Sequence, residues 1–408
     1  MNELKDISAW VKSMGRTFHA ISKVSTLPDP VFVCEGQTMV SFSSNNYLGL
    51  ANDPRLIAAA REGLEKYGVG NCESRLLGGD MDIYRELESK LARLKDKETA
   101  LLFATGYLTN LGVLSALMSS ATVARVYGYH PSQRQKHVYF SDECNHVSIR
   151  EGIRMSGAQK VTYRHRDSED LSRKLKSTDA SCKIIVTDGV FSMDGDIAVL
   201  PDLLALAEEH DAMVYVDDAH GTGVLGAQGQ GTTEYYGVKS DRLICMGTLS
   251  KAYGAIGGFI ATERYIADIL RFTCSAYGYT STLPPDQALA VSTAMGIVRD
   301  EPERRERLWA NQRYFVNRMQ ALGFKLISTQ SCIIPAWIGD ETRCESYARI
   351  LEENGFHVDS ICFPAVKIGQ ARLRFNMNAR HTREQIDRLL EILAAEQDKR
   401  LALVGAAS

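Results

Sequence analysis

From about residue 97 to 262 the chain alternates short, almost unbroken apolar runs with amphipathic stretches. The runs are TALLFAT, HVYFSD, KIIVTDG, MVYVDD, RLICMG and GGFIAT. Strands apolar on both sides and separated by helices predict a mostly parallel sheet covered on both faces, the α/β class. The helices are legible as well. In YRELESKLARL, Leu87, Leu91 and Leu94 fall on one face, with Glu and Lys opposite. In LPDLLALAEEH, Pro201 falls in a first turn, where its missing N–H is tolerated.

After about residue 290 the pattern changes. DEPERRERLWANQRYFVNRMQALGF predicts one long amphipathic helix, followed by strands in KLIST, CIIPAWI and ARLRFNM. A last helix runs from Thr382 to about Ala395. Thr382 and Gln385 fit a capping box, and Ile386, Leu389 and Leu393 supply its buried stripe. Residues 291–408 read as a smaller α+β domain and residues 49–290 as the large one. Residues 1–48 read as a leading helix and a short hairpin, PVFVCEGQTMVSF. Residues 119–136, SSATVARVYGYHPSQRQK, read as a loop or insertion.

Composition narrows the partners. The 408 residues are 45% hydrophobic and 24% charged, with a net charge of −3, as in an ordinary globular protein with a large core. Basic residues are interspersed with acidic ones, so no nucleic-acid surface is expected. The N-terminus has no apolar signal core, and no stretch is expected to approach the roughly 20 apolar residues of a membrane helix. Nine scattered cysteines with no CxxC pair point to free thiols in a reducing cytoplasm.

Ligands of a parallel sheet bind beyond the carboxyl ends of its strands. Thr105, Gly106 and Tyr107 follow the first apolar run, Asn145 and His146 the second, and Ser192 the third. Asp217, Asp218 and His220 follow the fourth, and Thr248, Ser250 and Lys251 the fifth. A single strand-end Asp or His is commonly a cap or a core residue; five polar strand ends on one edge point to a site.

Several chemistries fit poorly. Gly221, Gly223 and Gly226 match GxGxxG, but AQGQGTTEYYG follows, which is a poor helix former, so a turn or a close chain crossing is favoured. GxxxxGK[ST] and GxSxG are absent, and no paired His or Cys spacing points to a metal. Lys251 remains, as a Schiff-base former whose amine becomes nucleophilic when desolvated. Pyridoxal phosphate needs such a lysine, together with a carboxylate to keep its ring nitrogen protonated, a part Asp217 suits. Thr105, Gly106 and Tyr107 at a helix start, with Thr248, suit its phosphate, and His146 suits its ring face.

SFSSNNYLGLA, DGVFSMDGDIA, VDDAHGTGVLG, GTLSKAYGAIGGFIA, TSTLPP and GQARLRFNMNARHT, in this order, resemble the α-oxoamine synthases over roughly residues 40–395. The resemblance implies a fold-type I, aspartate aminotransferase-like enzyme that uses pyridoxal 5'-phosphate. Its reaction would condense an amino acid with an acyl-CoA thioester, losing CO2 and CoA, to give an α-aminoketone. Lys251 would hold the cofactor and then move the Cα proton. Asp217 would pair with the ring nitrogen, His220 would bond the ring oxygen with help from Ser192, and His146 would stack on the ring. Thr105, Gly106, Tyr107 and Thr248 would hold the phosphate, with Thr280 or Ser281 arriving from the second subunit of a homodimer. Arg374 would grip the amino-acid carboxylate, aided by Asn45. Another fold-type I reaction, such as that of an aminotransferase or lyase, is the alternative, and a non-catalytic relative is a third reading. The run GVGNCESRLLGGD departs from the family pattern at Asn71, Cys72 and Glu73. Glu73 would either meet a polar substrate or pair with Arg75 or a surface lysine.

Overall fold

The computed structural model describes residues 2–13, 24–26, 30–130 and 136–406. Strands β1 (Val31–Cys34) and β2 (Gln37–Ser41) make the expected hairpin. The large sheet comprises β3 (Thr99–Phe103), β4 (His137–Asp142), β5 (Gln159–Tyr163), β6 (Cys182–Asp188), β7 (Met213–Asp217), β8 (Leu243–Thr248) and β9 (Gly258–Thr262). Their order is β3-β9-β8-β7-β6-β4-β5. All six apolar runs are strands, and β5 is an addition. It is an edge strand left open, with Gln159 and Lys160 exposed, so it lacks the apolar run; β3, at the opposite edge, keeps one because the helix Asp82–Leu94 packs on it and buries it.

β9 runs antiparallel to both neighbours. Only residues 249–257 separate it from β8, too few for the crossover a parallel partner needs. β3, two antiparallel steps from β8, points the same way as β8. The carboxyl ends of β3, β4, β6, β7 and β8 therefore share one edge.

Alternate residues of each strand pack on opposite faces. Leu101, Phe103, Tyr139, Tyr215 and Ile244 face Val113 and Leu114 of the helix Gly106–Val126. Ala100, Leu102, Phe140 and Val214 join Leu87, Leu91 and Leu203 on the other side. Each fully buried Leu or Phe contributes about 1.5–3 kcal/mol relative to exposure.

Two expectations change in the helix Gly106–Val126. It is long and apolar enough to cross a membrane by length and composition, contrary to the sequence reading. Its apolar side instead covers the sheet, and it packs against the helices Val147–Ser156 and Arg264–Thr273. It also absorbs the first eight residues of the 119–136 segment expected to be a loop, while residues 131–135 lie outside the described residues.

In the C-terminal part, the long helix expected from residue 300 is Glu303–Ala321, and a separate helix, Pro285–Asp300, precedes it and stops before Pro302. Strands β10 (Ile333–Gly339), β11 (Phe356–His357), β12 (Asp359–Ile361) and β13 (Ala371–Asn376) follow, and β10-β13-β12 form an antiparallel sheet. KLIST contributes only a bridge from Leu326 to Ala336. β11 pairs in parallel with β2, so the N-terminal hairpin completes a sheet with the C-terminal part. The last helix, Arg383–Ala406, starts with the expected capping box. The Gln385 N–H donates to Thr382 Oγ1 at 3.3 Å and the Thr382 N–H to Gln385 Oε1 at 3.0 Å.

Candidate active site

A cavity of about 260 Å³ opens at the shared carboxyl edge. Each of the five strands delivers residues to it. The turn after β3 ends in Thr105, which caps the helix Gly106–Val126 by accepting the Leu108 N–H at 3.1 Å. Gly106 opens that helix beside Thr248. A Cβ on Gly106 would stand 3.1 Å from Thr248 Oγ1, so glycine lets the helix start close against β8. The loop after β4 is fixed by Asn145, whose Nδ2 donates to Val186 O at 2.8 Å and whose Oδ1 accepts the Asp188 N–H at 2.9 Å. That places His146 at the mouth, its ring edge-on to Tyr107 with centroids 6.4 Å apart.

Asp217 and Asp188 end neighbouring strands in register and both line the cavity. Asp217 accepts from Asn110 Nδ2 at 2.6 Å and from the Ala219 N–H at 3.0 Å. Tyr215 in turn donates to Asn110 Oδ1 at 2.7 Å. Burial and the neighbouring Asp217 raise Asp188 well above the ordinary carboxyl range, and it accepts the His146 N–H at 3.0 Å. Lys251 Nζ lies 2.7 Å from His220 Nε2. Burial lowers Lys251 to about 8 against the opposing pull of Asp217 and Asp188. Burial also lowers His220 well below its usual value, with Lys251 and Arg374 adding to the effect, so its ring is neutral.

Thr105, Gly106, Tyr107, His146, Ser192, Asp217, His220, Thr248 and Lys251 thus meet in one cavity, as the strand-end argument expects. Arg374 on β13 and Asn45 do not line it, but Arg374 touches a residue that does: Nε donates to Ser192 O at 2.7 Å, and Nη2 lies 3.4 Å from Asn45 Oδ1. Thr280, Ser281 and Glu73 do not line it. Glu73 is exposed, and Arg75 pairs with Asp80 and Glu88 rather than with Glu73.

The structure adds Asp188, Asn110 and Tyr47. Asp188 obeys the same strand-end rule in KIIVTDG, and Asn110 lies one helical turn beyond Gly106. Tyr47 has no local signal, because its partner His220 is 173 residues away.

The glycine motif is not a dinucleotide loop. Gly221, with Gly231 further along, packs against the buried carboxylate of Asp218, which Lys95 meets at 2.7 Å and Thr232 at 2.5 Å, while Gly223 packs on Ala252 and Gly226 on Glu234. A Cβ would fall 2.1 Å from Asp218 at Gly221 and 1.7 Å from it at Gly231, where φ is +99°. Among the described residues, Asp142, Cys144 and His165 group their ligand atoms within 4.8 Å. His165, however, is held by carboxylates on both ring nitrogens, Asp142 at 3.0 Å and Asp196 at 2.9 Å.

The donor set suits pyridoxal 5'-phosphate. The cavity holds a desolvated lysine, a hydrogen-bonded carboxylate across from it, and a helix N-terminus flanked by Thr105 and Thr248 for a phosphate.

A family model described as aminotransferase class I and II matches residues 37–393. The 8-amino-7-oxononanoate synthase 1 of Bacillus velezensis is 39% identical over 99% of this chain and 100% of its own length. The solved serine palmitoyltransferase of Sphingomonas wittichii superposes with a TM-score of 0.87 at 29% identity, covering 98% of each chain. The 8-amino-7-oxononanoate synthase of Francisella tularensis gives a TM-score of 0.74 at 28% identity over 89% of this chain and 99% of its own.

Proposed function

We propose that this chain, which belongs to the aminotransferase class I and II family, is a pyridoxal-phosphate-dependent α-oxoamine synthase. It condenses an amino acid with an acyl-CoA thioester and releases CO2 and CoA, leaving an α-aminoketone. The observation that carries this is the desolvated Lys251 in one cavity with Asp217, His220 and His146, with Arg374 bonded to Ser192 of its lining. Bound there, the cofactor supplies an aldehyde for an amine and a protonated ring that takes up electron density from the substrate Cα.

The chain's own residues divide the remaining work. Lys251 holds the cofactor and then exchanges the Cα proton at Nζ. A value of about 8 keeps a usable share of it as free amine near neutrality. Asp217, oriented by Asn110 and Ala219, keeps a ring nitrogen protonated. Thr105, Gly106, Tyr107 and Thr248 take the phosphate, His146 covers the ring, and His220 with Ser192 faces the ring oxygen. Arg374 and Asn45 bind the amino-acid carboxylate, which orients the Cα bond to be broken.

The same reading makes the enzyme a homodimer. Thr280 and Ser281 lie outside this chain's own cavity and face a partner's. Leu76 packs on Gly278 and leaves Leu77 and Tyr279 exposed beside it, an apolar surface for that contact. All nine cysteines are unpaired, which fits the cytoplasm.

The test is a single titration. The purified protein should take up pyridoxal phosphate, and borohydride should fix it to the Lys251 peptide; Lys251→Ala should abolish both fixation and turnover. Release of CoA thiol on adding amino acid and acyl-CoA separates this reaction from amino-group exchange, the activity named by the family description. Two substrate pairs come first. Alanine with a seven-carbon ω-carboxyacyl thioester assembles the product in the relatives' name, and serine with palmitoyl-CoA assembles that of the solved neighbours. A protein that neither binds the cofactor nor releases thiol refutes the proposal.

A further inference from the structure

Tyr47 is fully buried, and its hydroxyl is a middle link in a hydrogen-bonded chain that leads away from Lys251. Its hydroxyl lies 2.6 Å from His220 Nδ1 and 3.1 Å from Asn45 Oδ1. His220 Nε2 lies 2.7 Å from Lys251 Nζ. Asn45 Oδ1 also faces Asn376 Nδ2 at 3.1 Å and Arg374 Nη2 at 3.4 Å.

Proton counting allows two arrangements. A hydroxyl has one hydrogen, a neutral imidazole has one N–H, and the amide oxygen only accepts. In the first, the Lys251 ammonium donates to Nε2, Nδ1–H donates to the Tyr47 oxygen, and Tyr47 donates to Asn45. In the second, Tyr47 donates to Nδ1, and Nε2–H points at the uncharged Lys251 amine or at another acceptor in the cavity. Asn45 then keeps only the hydrogens of Asn376 and Arg374.

We infer that Tyr47 is a positioning residue: its single hydroxyl hydrogen sets which nitrogen of His220 is protonated, and so ties the charge of Lys251 to the hydrogen bonding of Asn45 beside Arg374. The base and the carboxylate grip thereby sense one another through a side chain that touches neither cofactor nor substrate. In catalysis this matters only if the proposed function holds, but the coupling itself is a property of the chain.

The other charged or titratable groups bearing on this line are few. Arg374 and His146 act on His220, Cys332 and Arg374 act on Tyr47, and Asp217, Asp188, Arg374 and Cys332 act on Lys251. All of them are retained when only the Tyr47 hydroxyl is removed.

The test uses the full-length protein freed of cofactor and follows acetylation of the Lys251 peptide by acetic anhydride against pH. The wild type should titrate near 8. The first arrangement gives Tyr47 two bonds and the second gives it one. Tyr47→Phe should therefore lower the Lys251 midpoint by about half to one pKa unit. Asn45→Ala removes the acceptor at the far end and should also lower it. In a His220→Asn background, adding Tyr47→Phe should change nothing further. An unshifted midpoint in Tyr47→Phe or Asn45→Ala, or an equal shift without His220, overturns the coupling. Near-UV circular dichroism equal to wild type certifies the fold of each variant. No readout here uses the cofactor, so failure to bind pyridoxal phosphate would refute the proposed function alone.

Discussion

Replacing Arg374 by Lys should cost the enzyme its amino acid while sparing the acyl thioester. The guanidinium is buried at 6% exposure and pinned at one corner, where Nε donates to Ser192 O at 2.7 Å. Among the described residues, its other two nitrogens have only long partners, Asp359 and Asn45, each at 3.4 Å. Two N–H groups are therefore held in a fixed fork and available to a carboxylate. Hydrogen bonds to a charged group contribute about 1.5–3 kcal/mol each. Lysine keeps the charge and one bond but loses the second bond and the anchor on Ser192. A net loss of about 2–3 kcal/mol corresponds to roughly a 30- to 150-fold fall in kcat/KM for the amino acid. Thiol release measured over a range of amino-acid concentrations at saturating acyl-CoA gives this ratio directly, and the reverse titration gives the thioester KM. An amino-acid KM within about threefold of wild type, or a loss that falls on the thioester instead, would refute the assignment of Arg374.

Two further outcomes concern the frame around the site. Lys95→Met keeps the stem of the side chain but strands the Asp218 carboxylate at 1% exposure, so urea unfolding should show a loss of about 3–5 kcal/mol. Asp218→Asn added to it should recover part of that loss, and a loss under about 1 kcal/mol would mean that the pair is not a buried charge pair. For His165, burial opposes the charge, but the hydrogen bonds to Asp142 and Asp196 outweigh it and push the pKa up to about 12. A raised folded-state pKa means the stabilisation is complete below the unfolded value of about 6.5 and is lost as pH rises towards the folded one. Between pH 7 and 9 the wild type should therefore lose stability faster than His165→Asn, by up to about 1.4 kcal/mol per pH unit. Parallel stability curves for the two proteins would contradict the charged, doubly bonded histidine.

Much of this was legible along the chain because it depends on short-range rules. Unbroken apolar runs became strands, and Thr382 with Gln385 became a capping box, since both follow from neighbours within a few residues. The strand-end rule brought Thr105, His146, Ser192, Asp217 and Lys251 to one edge without any knowledge of their distances. Where the chain departed from expectation, a longer-range constraint decided. β5 is polar because it is an edge left open to solvent, unlike the covered edge β3, β9 is antiparallel because its connection is short, and residues 119–126 are helical because the helix beneath them continues.

The sequence by itself determined the strands, the order in which chemistry-bearing residues leave them, and hence the kind of group they can hold. Only the tertiary structure decided the state of those residues. Lys251 has an ordinary side chain until burial lowers its pKa to about 8, and His220 is pushed well below the usual imidazole value because the fold takes it out of water. Tyr47 stands beside His220, and Arg374 beside Asn45, across 173 and 329 residues of chain. Desolvation and the closure of such distant pairs belong to the packed molecule, because no local pattern of side chains encodes either the dielectric around a group or its partner across the fold.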